Sequence, residues 1–145
     1  MKLLEVIYGG DPVALSGKVR GILQGASLWQ AQFEVEQLFP NGGAHSFLQT
    51  ISDLNIAQRV SAGEVDEVWL WGPEDTGWPE SQMFGQGAFA VNSEPGGGGL
   101  TCPPFIVHGF NYERDTASAL HAFAHRVEWM LAHRYSVPVR IQGFS

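Results

Sequence analysis

Leu3 to Tyr8 opens the chain as a short apolar run, and Gly9, Gly10, Asp11 and Pro12 close it, the pattern of a strand ended by a turn. Val13 to Gln30 shows no clean period and predicts no element on its own. Phe33-Glu34-Val35-Glu36 alternates as a half-buried strand does, with Phe39-Pro40-Asn41-Gly42-Gly43 ending it; a short helix over 27–38 competes for the same residues. Ser46 stands as N-cap before Phe47, Ile51, Leu54 and Gln58, whose spacing predicts a helix to about Ala62 with Gly63 as its stop. Val65 to Trp71 predicts a strand whose apolar end does not alternate, which fits coverage on both faces in a parallel sheet.

Gly and Pro then dominate from Gly72 to Pro104, and only 87–92 suggests a further short strand. A connection longer than about 15 residues is uncommon in a compact domain unless it carries function. Trp78, Met83, Phe84 and Phe89 within it predict packing rather than disorder, with Gly96 to Gly99 as the mobile part. Phe105 to Phe110 is the next strand. Asp115 or Thr116 caps a helix reaching about Arg134, ahead of Pro138, and Val139-Arg140-Ile141 begins a last strand.

This order predicts one α/β domain over residues 1–145, a layered sandwich with a mainly parallel sheet and flanking helices. Because the last strand runs up to Ser145, the sequence reads as a segment of a longer protein. A length of 145 residues suits a single core, and 44% hydrophobic against 16% charged residues excludes a disordered chain. Eight Lys and Arg against fifteen acidic residues leave no cationic face for phosphates, so nucleic acid is not an expected partner. The single Cys102 excludes an intrachain disulfide. Leu3 to Tyr8, interrupted by Glu5, is too short for a secretory core or a membrane span. As written the chain is expected to be cytoplasmic, and extracellular if it belongs to a longer secreted protein.

The last helix carries the sharpest chemistry. At about 100° per residue, Ala117, Leu120, Ala124, Val127 and Leu131 form one stripe, expected to face the core. His121, His125 and Glu128 follow at i, i+4 and i+7 along its edge, within about 60° of one another. Two imidazoles and a carboxylate are a usual ligand set for catalytic zinc, with a position left for water. Such a divalent metal lowers the pKa of that water and polarises a carbonyl or phosphoryl oxygen. Ala122 stands where an H-E-x-x-H helix has its general-base Glu, so a loop carboxylate, Glu113 or Glu80, has to act as base. Two blander readings compete: a buried hydrogen-bonded polar cluster, or a helix surface on which Arg126 and Glu128 are boundary charges. Trp129 falls away from the apolar stripe, so cover is expected from another element, a missing segment or a partner.

Ligands of open α/β sheets lie beyond the carboxyl ends of the strands. By that rule Glu74, Asp75, Glu80, Asn92, His108, Asn111, Glu113 and Arg114 share one rim with His121. Asn111 can donate and accept, Glu113 can move a proton and Arg114 can hold an anion in a fork; otherwise Asn111 only makes a turn, and Glu113 and Arg114 pair at the surface. Trp69, Trp71, Trp78, Phe84 and Phe89 can stack on the apolar face of a sugar, although Trp69 and Trp71 inside a strand suit a core better. Glu80 and Glu113 also match a glycosidase acid–base pair, whose mechanism depends on their separation. The fingerprints G-x-G-x-x-G, G-x-x-x-x-G-K-[ST] and G-x-S-x-G are absent, and Cys102 has no cationic neighbour in sequence to activate it.

Asp66-Glu67-Val68-Trp69-Leu70-Trp71-Gly72, Gly109-Phe110-Asn111-Tyr112-Glu113-Arg114 and His121-x-x-x-His125-Arg126-x-Glu128 together resemble the middle of a group of larger, often secreted bacterial and fungal proteins. The resemblance spans Asp66 to Glu128 and implies a partial, extracellular chain; it brings no activity or cofactor. The residues themselves point first to a metal-dependent hydrolase acting on a small-molecule, peptide or glycan ligand. The alternatives are a non-catalytic carbohydrate- or ligand-binding domain using the Trp-rich loop, and a structural fragment without a site.

Overall fold

The computed structural model describes residues 1–9, 13–25, 33–74 and 76–136. Strands β1 (Lys2–Ile7), β2 (Glu34–Leu38), β3 (Glu67–Gly72), β4 (Ser81–Phe84) and β5 (Phe105–Asn111) form one sheet in the order β2-β1-β3-β5-β4. Pairings among β2, β1, β3 and β5 are parallel, and β4 lies antiparallel against β5 at one edge. Among the described residues four helices flank the sheet: α1 (Val13–Gly25), α2 (Phe47–Asp53), α3 (Ile56–Ser61) and α4 (Thr116–Tyr135). This is the expected α/β sandwich with a mainly parallel sheet.

Alternate side chains leave a strand on opposite faces, and here both faces are covered. Leu4, Val6, Tyr8, Val68, Leu70 and Val107 pack on Phe47, Ile51 and Ile56 of α2 and α3. On the other face Leu3, Ile7, Trp69, Trp71 and Phe110 meet Val19 and Leu23 of α1 and Ala119, Ala122 and Phe123 of α4. Every residue of β3 is buried, as its unbroken apolar run predicts.

Two carboxylates sit inside that second face. A buried charge is tolerated only when paired and hydrogen-bonded, and each acid here takes an indole N–H from β3 and an arginine from the covering helix. Trp71 Nε1 donates to Glu5 Oε2 at 2.8 Å, while Arg20 of α1 lies 3.3 Å from Oε1. Trp69 Nε1 donates to Glu67 Oε2 at 2.9 Å, and Arg126 of α4 pairs with Oε1 at 2.5 Å. Each helix is thereby tied to the sheet through a buried ion pair.

Several elements differ from the pattern reading. The stripe of α4 that meets the sheet is Ala119, Ala122, Phe123 and Arg126 rather than Leu120, Ala124, Val127 and Leu131; Leu131 is 50% exposed. Small alanines let the helix close onto bulky Trp69, Trp71 and Phe110, so the most apolar stripe is displaced sideways. Trp129 is covered by other elements of this chain, one of the sources expected, since it packs against Met83, Val91 and Ile106. The edge strand is Ser81–Phe84, not 87–92. Ser46 caps as expected, accepting from Gln49 N at 3.1 Å, but left-handed Asn55 (φ 53°) splits the predicted helix into α2 and α3. Residues 34–38 form the strand rather than the competing helix, and 13–25, where no period is visible, form α1. Asp115 caps α4, accepting from Ser118 N at 3.0 Å. The Val139–Ile141 strand, Gly10 to Pro12 and Asp75 lie outside the described residues.

Candidate functional site

Strand order reverses between β1 and β3, and the loops that follow β3 and β5 rise from the same sheet edge. Such an edge is where open α/β sheets hold ligands. A cleft of about 340 Å³ opens there between the loop after β3, the end of β5 and the first turns of α4. Pockets of about 300–1,000 Å³ take small molecules. Its polar lining is Glu74, Thr76, Glu80, Asn111, Arg114 and Ser118, with Trp78 as an aromatic wall.

Trp78 reaches this wall because two strand positions lack a side chain. A Cβ on Gly72 would lie 2.7 Å from the Trp78 ring, and one on Gly109 would lie 2.8 Å from Trp78 Cβ and 2.9 Å from Pro79 O. The indole is then fixed by its Nε1 donating to His45 O at 2.7 Å and by packing beside Tyr8 and Phe47. Gly72 and Gly109 are therefore the seat positions for one indole.

Glu80 is the most connected polar group of the cleft. Its Oε2 accepts from Asn92 Nδ2 at 2.6 Å and faces His125 Nδ1 at 2.9 Å; among the described residues no bond engages Oε1. Asn92 holds a left-handed backbone (φ 56°), which turns the loop so that its amide reaches back twelve residues. His121 stands one turn before His125 on α4, with ring centroids 4.6 Å apart. The geometry thus joins Glu80, Asn92, His125 and His121 in one cluster beside the cleft.

The other sequence candidates are placed as follows. Asn111 lines the cleft while its Oδ1 accepts from Glu113 N at 2.8 Å, making the turn before α4. Glu113 Oε2 accepts from Glu74 N at 3.3 Å and so braces the loop after β3; it is not part of the cleft lining. Arg114 lines the cleft with its Nη2 3.6 Å from Glu74 Oε1, so its charge is shared with an acid. Glu128 borders a different hollow, an apolar groove of about 420 Å³ between α1 and α4 lined by Ile22, Leu120, Val127 and Leu131. Among the described residues no three His, Cys, Asp or Glu side chains gather as a metal-ligand group.

His108, expected on the rim, is fully buried under α4. It lies flat against Phe123 and Phe110, with centroids 4.5 and 5.2 Å away, and its Nε2 faces Arg126 Nη1 at 3.2 Å. Burial and then the Arg126 charge push its pKa well below the ordinary imidazole value, against the Glu80 carbonyl, which favours the protonated ring. Burial likewise pushes the Glu67 carboxyl up, opposed by Arg126 and the Trp69 N–H. Spacing does not single out Thr76 or Ser118. Ser118 precedes Ala122 by one helical turn on the line facing the cleft, a signal available only once the cleft side of α4 is known.

Comparison with known protein families, curated proteins and solved structures gives no match. Among the described residues no helix is long and apolar enough to cross a membrane.

Proposed function

We propose that this domain is a hydrolase of a small polar substrate bound in the cleft, with Glu80 and His125 as its acid–base pair. One observation carries the reading: a single oxygen of Glu80 is held by Asn92 at 2.6 Å and His125 at 2.9 Å on the cleft wall. A carboxylate against Nδ1 fixes the tautomer and orientation of an imidazole. Oε1 of Glu80 stays available to the cleft, where it can take a proton from water or a substrate hydroxyl, with His125 as the adjoining proton partner. Thr76, Asn111 and Ser118 supply neutral hydrogen bonds, and the Glu74–Arg114 pair leaves no net cationic floor. That lining suits hydroxyl-rich substrates such as glycosides, or esters, better than phosphates.

The test is a panel of chromogenic glycosides, esters and phosphoesters against the wild type and Glu80→Gln. Turnover that falls by about 100-fold or more in Glu80→Gln is expected, the size of a general acid–base contribution. Sugar binding without turnover, kept in Glu80→Gln and lost in Trp78→Ala, would replace the enzyme with a non-catalytic carbohydrate-binding domain.

A second reading keeps the metal. His121 and His125 are adjacent, and a carboxylate against one ring nitrogen is how metal-ligating histidines are commonly oriented. The two imidazoles would hold a divalent ion such as zinc, which would supply the attacking water; Glu128, the third ligand expected from spacing, borders the groove between α1 and α4 instead. Elemental analysis of protein prepared without chelators tests it: one equivalent of zinc, lost in His121→Ala, is the expected result, and a metal-free chain with full turnover would remove the metal.

A further inference from the structure

Glu80 is gripped by its side chain and by its backbone. Its carboxylate meets His125, while its carbonyl accepts from Gly109 N at 3.2 Å, next to the Ser81–His108 pairing of β4 and β5. Beneath it lies a buried chain of polar contacts. Arg126 Nη1 is 3.2 Å from His108 Nε2 and 2.5 Å from Glu67 Oε1, and its guanidinium lies 5.0 Å from the centroid of the Phe123 ring. A guanidinium can only donate, so His108 Nε2 carries the lone pair and the ring proton sits on Nδ1. Arg126 directly follows His125 in α4. The same residue therefore ties the helix to β3 through Glu67 and to β5 through His108, one position away from the imidazole that meets Glu80.

We propose that Arg126 and His108 are positioning residues, which hold His125 within hydrogen-bond reach of Glu80 by fixing α4 against β3 and β5. Their importance for turnover rests on the acid–base reading of Glu80; their geometric role does not. The contact they serve spans 45 residues of sequence. A slide of α4 by about half an ångström or more would carry it outside the usual range of about 2.7–3.2 Å.

The test reads the bond itself, by NMR of the full chain with 15N-labelled histidine. In the wild type the His125 Nδ1 proton is expected as a slowly exchanging signal, which Glu80→Ala abolishes by removing the acceptor. His108→Phe keeps the ring stack but removes the acceptor for Arg126, and is expected to speed exchange of that proton at least tenfold. Leu23→Ala, a core truncation on α1, must leave the signal in place, which separates positioning from general loosening. A folded His108→Phe with unchanged exchange would overturn the inference, as would equal loss in Leu23→Ala. Should His108→Phe not fold, Arg126→Lys keeps the charge for Glu67 and loses the fork to His108; retention of the signal there also overturns it. A wild type with no turnover of any substrate but with this pattern of signals would remove the acid–base reading and leave the positioning intact.

Discussion

Acid is expected to destabilise this protein through one imidazole. His108 has no exposure, lies between Phe110 and Phe123, and has a guanidinium 3.2 Å from Nε2. Its folded pKa is depressed well below the reference value of 6.5, first by burial and then by Arg126. The unfolded chain therefore binds a proton that the folded chain refuses. Stability is fully present above about pH 6.5 and is lost as pH falls from there toward the folded pKa. With one proton at stake the slope approaches about 1.4 kcal/mol per pH unit, so about 1.4 kcal/mol disappears between pH 7.5 and 5.5. Total stabilities are only about 5–15 kcal/mol, so the loss is measurable. Urea unfolding followed by circular dichroism at both pH values, in the wild type and in His108→Phe, isolates it. The substitution leaves Arg126 without one acceptor, a penalty common to both pH values, so only the difference between them is compared. Running both chains on a Glu80→Gln background removes any contribution of the His125 pair. The pH-dependent loss is expected to shrink by about 1.4 kcal/mol in His108→Phe; equal losses in both chains would refute the reasoning.

Glu67→Gln leaves Arg126 buried without its counter-charge, at a cost of about 3–5 kcal/mol, and calorimetry should show a Tm lower by about 6–20 °C at 2–4 °C per kcal/mol. Gly109→Ala drives a methyl against Trp78 Cβ and Pro79 O; an overpacking cost of about 1–3 kcal/mol and a displaced Trp78, seen as weakened ligand binding, are expected. Asn55→Ala should destabilise by about 1 kcal/mol in denaturant titration, because Asn55 holds a left-handed backbone that alanine adopts only with a steric cost.

The architecture is legible in the sequence wherever one local cue decides an element. The unbroken Val68–Trp71 run can only be a strand covered twice, and Ser46 and Asp115 announce their helices through side-chain caps. What pattern misses is the choice among faces. Leu120, Val127 and Leu131 outweigh Ala119 and Ala122 in any count of apolar residues, yet the sheet face of α4 is decided by the partner surface. Two tryptophans and a phenylalanine already fill that space, and Glu67 needs a cation there, so two alanines and an arginine win. The same limit governs the site. Glu80, Asn92, His121 and His125 are all visible as candidates, but the pairing of Glu80 with His125 crosses 45 residues and depends on the axial position of α4. Glu113 illustrates the converse: a good acid by type and place, its carboxylate is occupied with the Glu74 backbone.

One helix thus serves stability and the cleft at once. Within eight residues α4 presents Ala119 and Ala122 to the cleft and core, His125 to Glu80, and Arg126 to the buried acid of β3. A change at Glu67, which touches nothing in the cleft, therefore acts on the Glu80–His125 distance through the rigid turn between Arg126 and His125. Core and site cannot be varied independently here. Substitutions that relieve the buried charge by exchanging Glu67 and Arg126 together for apolar residues are expected to leave the fold standing, since such exchanges are often neutral or stabilising by about 1–4 kcal/mol. They would also remove the tether beside His125. Measured stability and the His125 signal should then move in opposite directions, a divergence that a purely structural role for Arg126 does not produce.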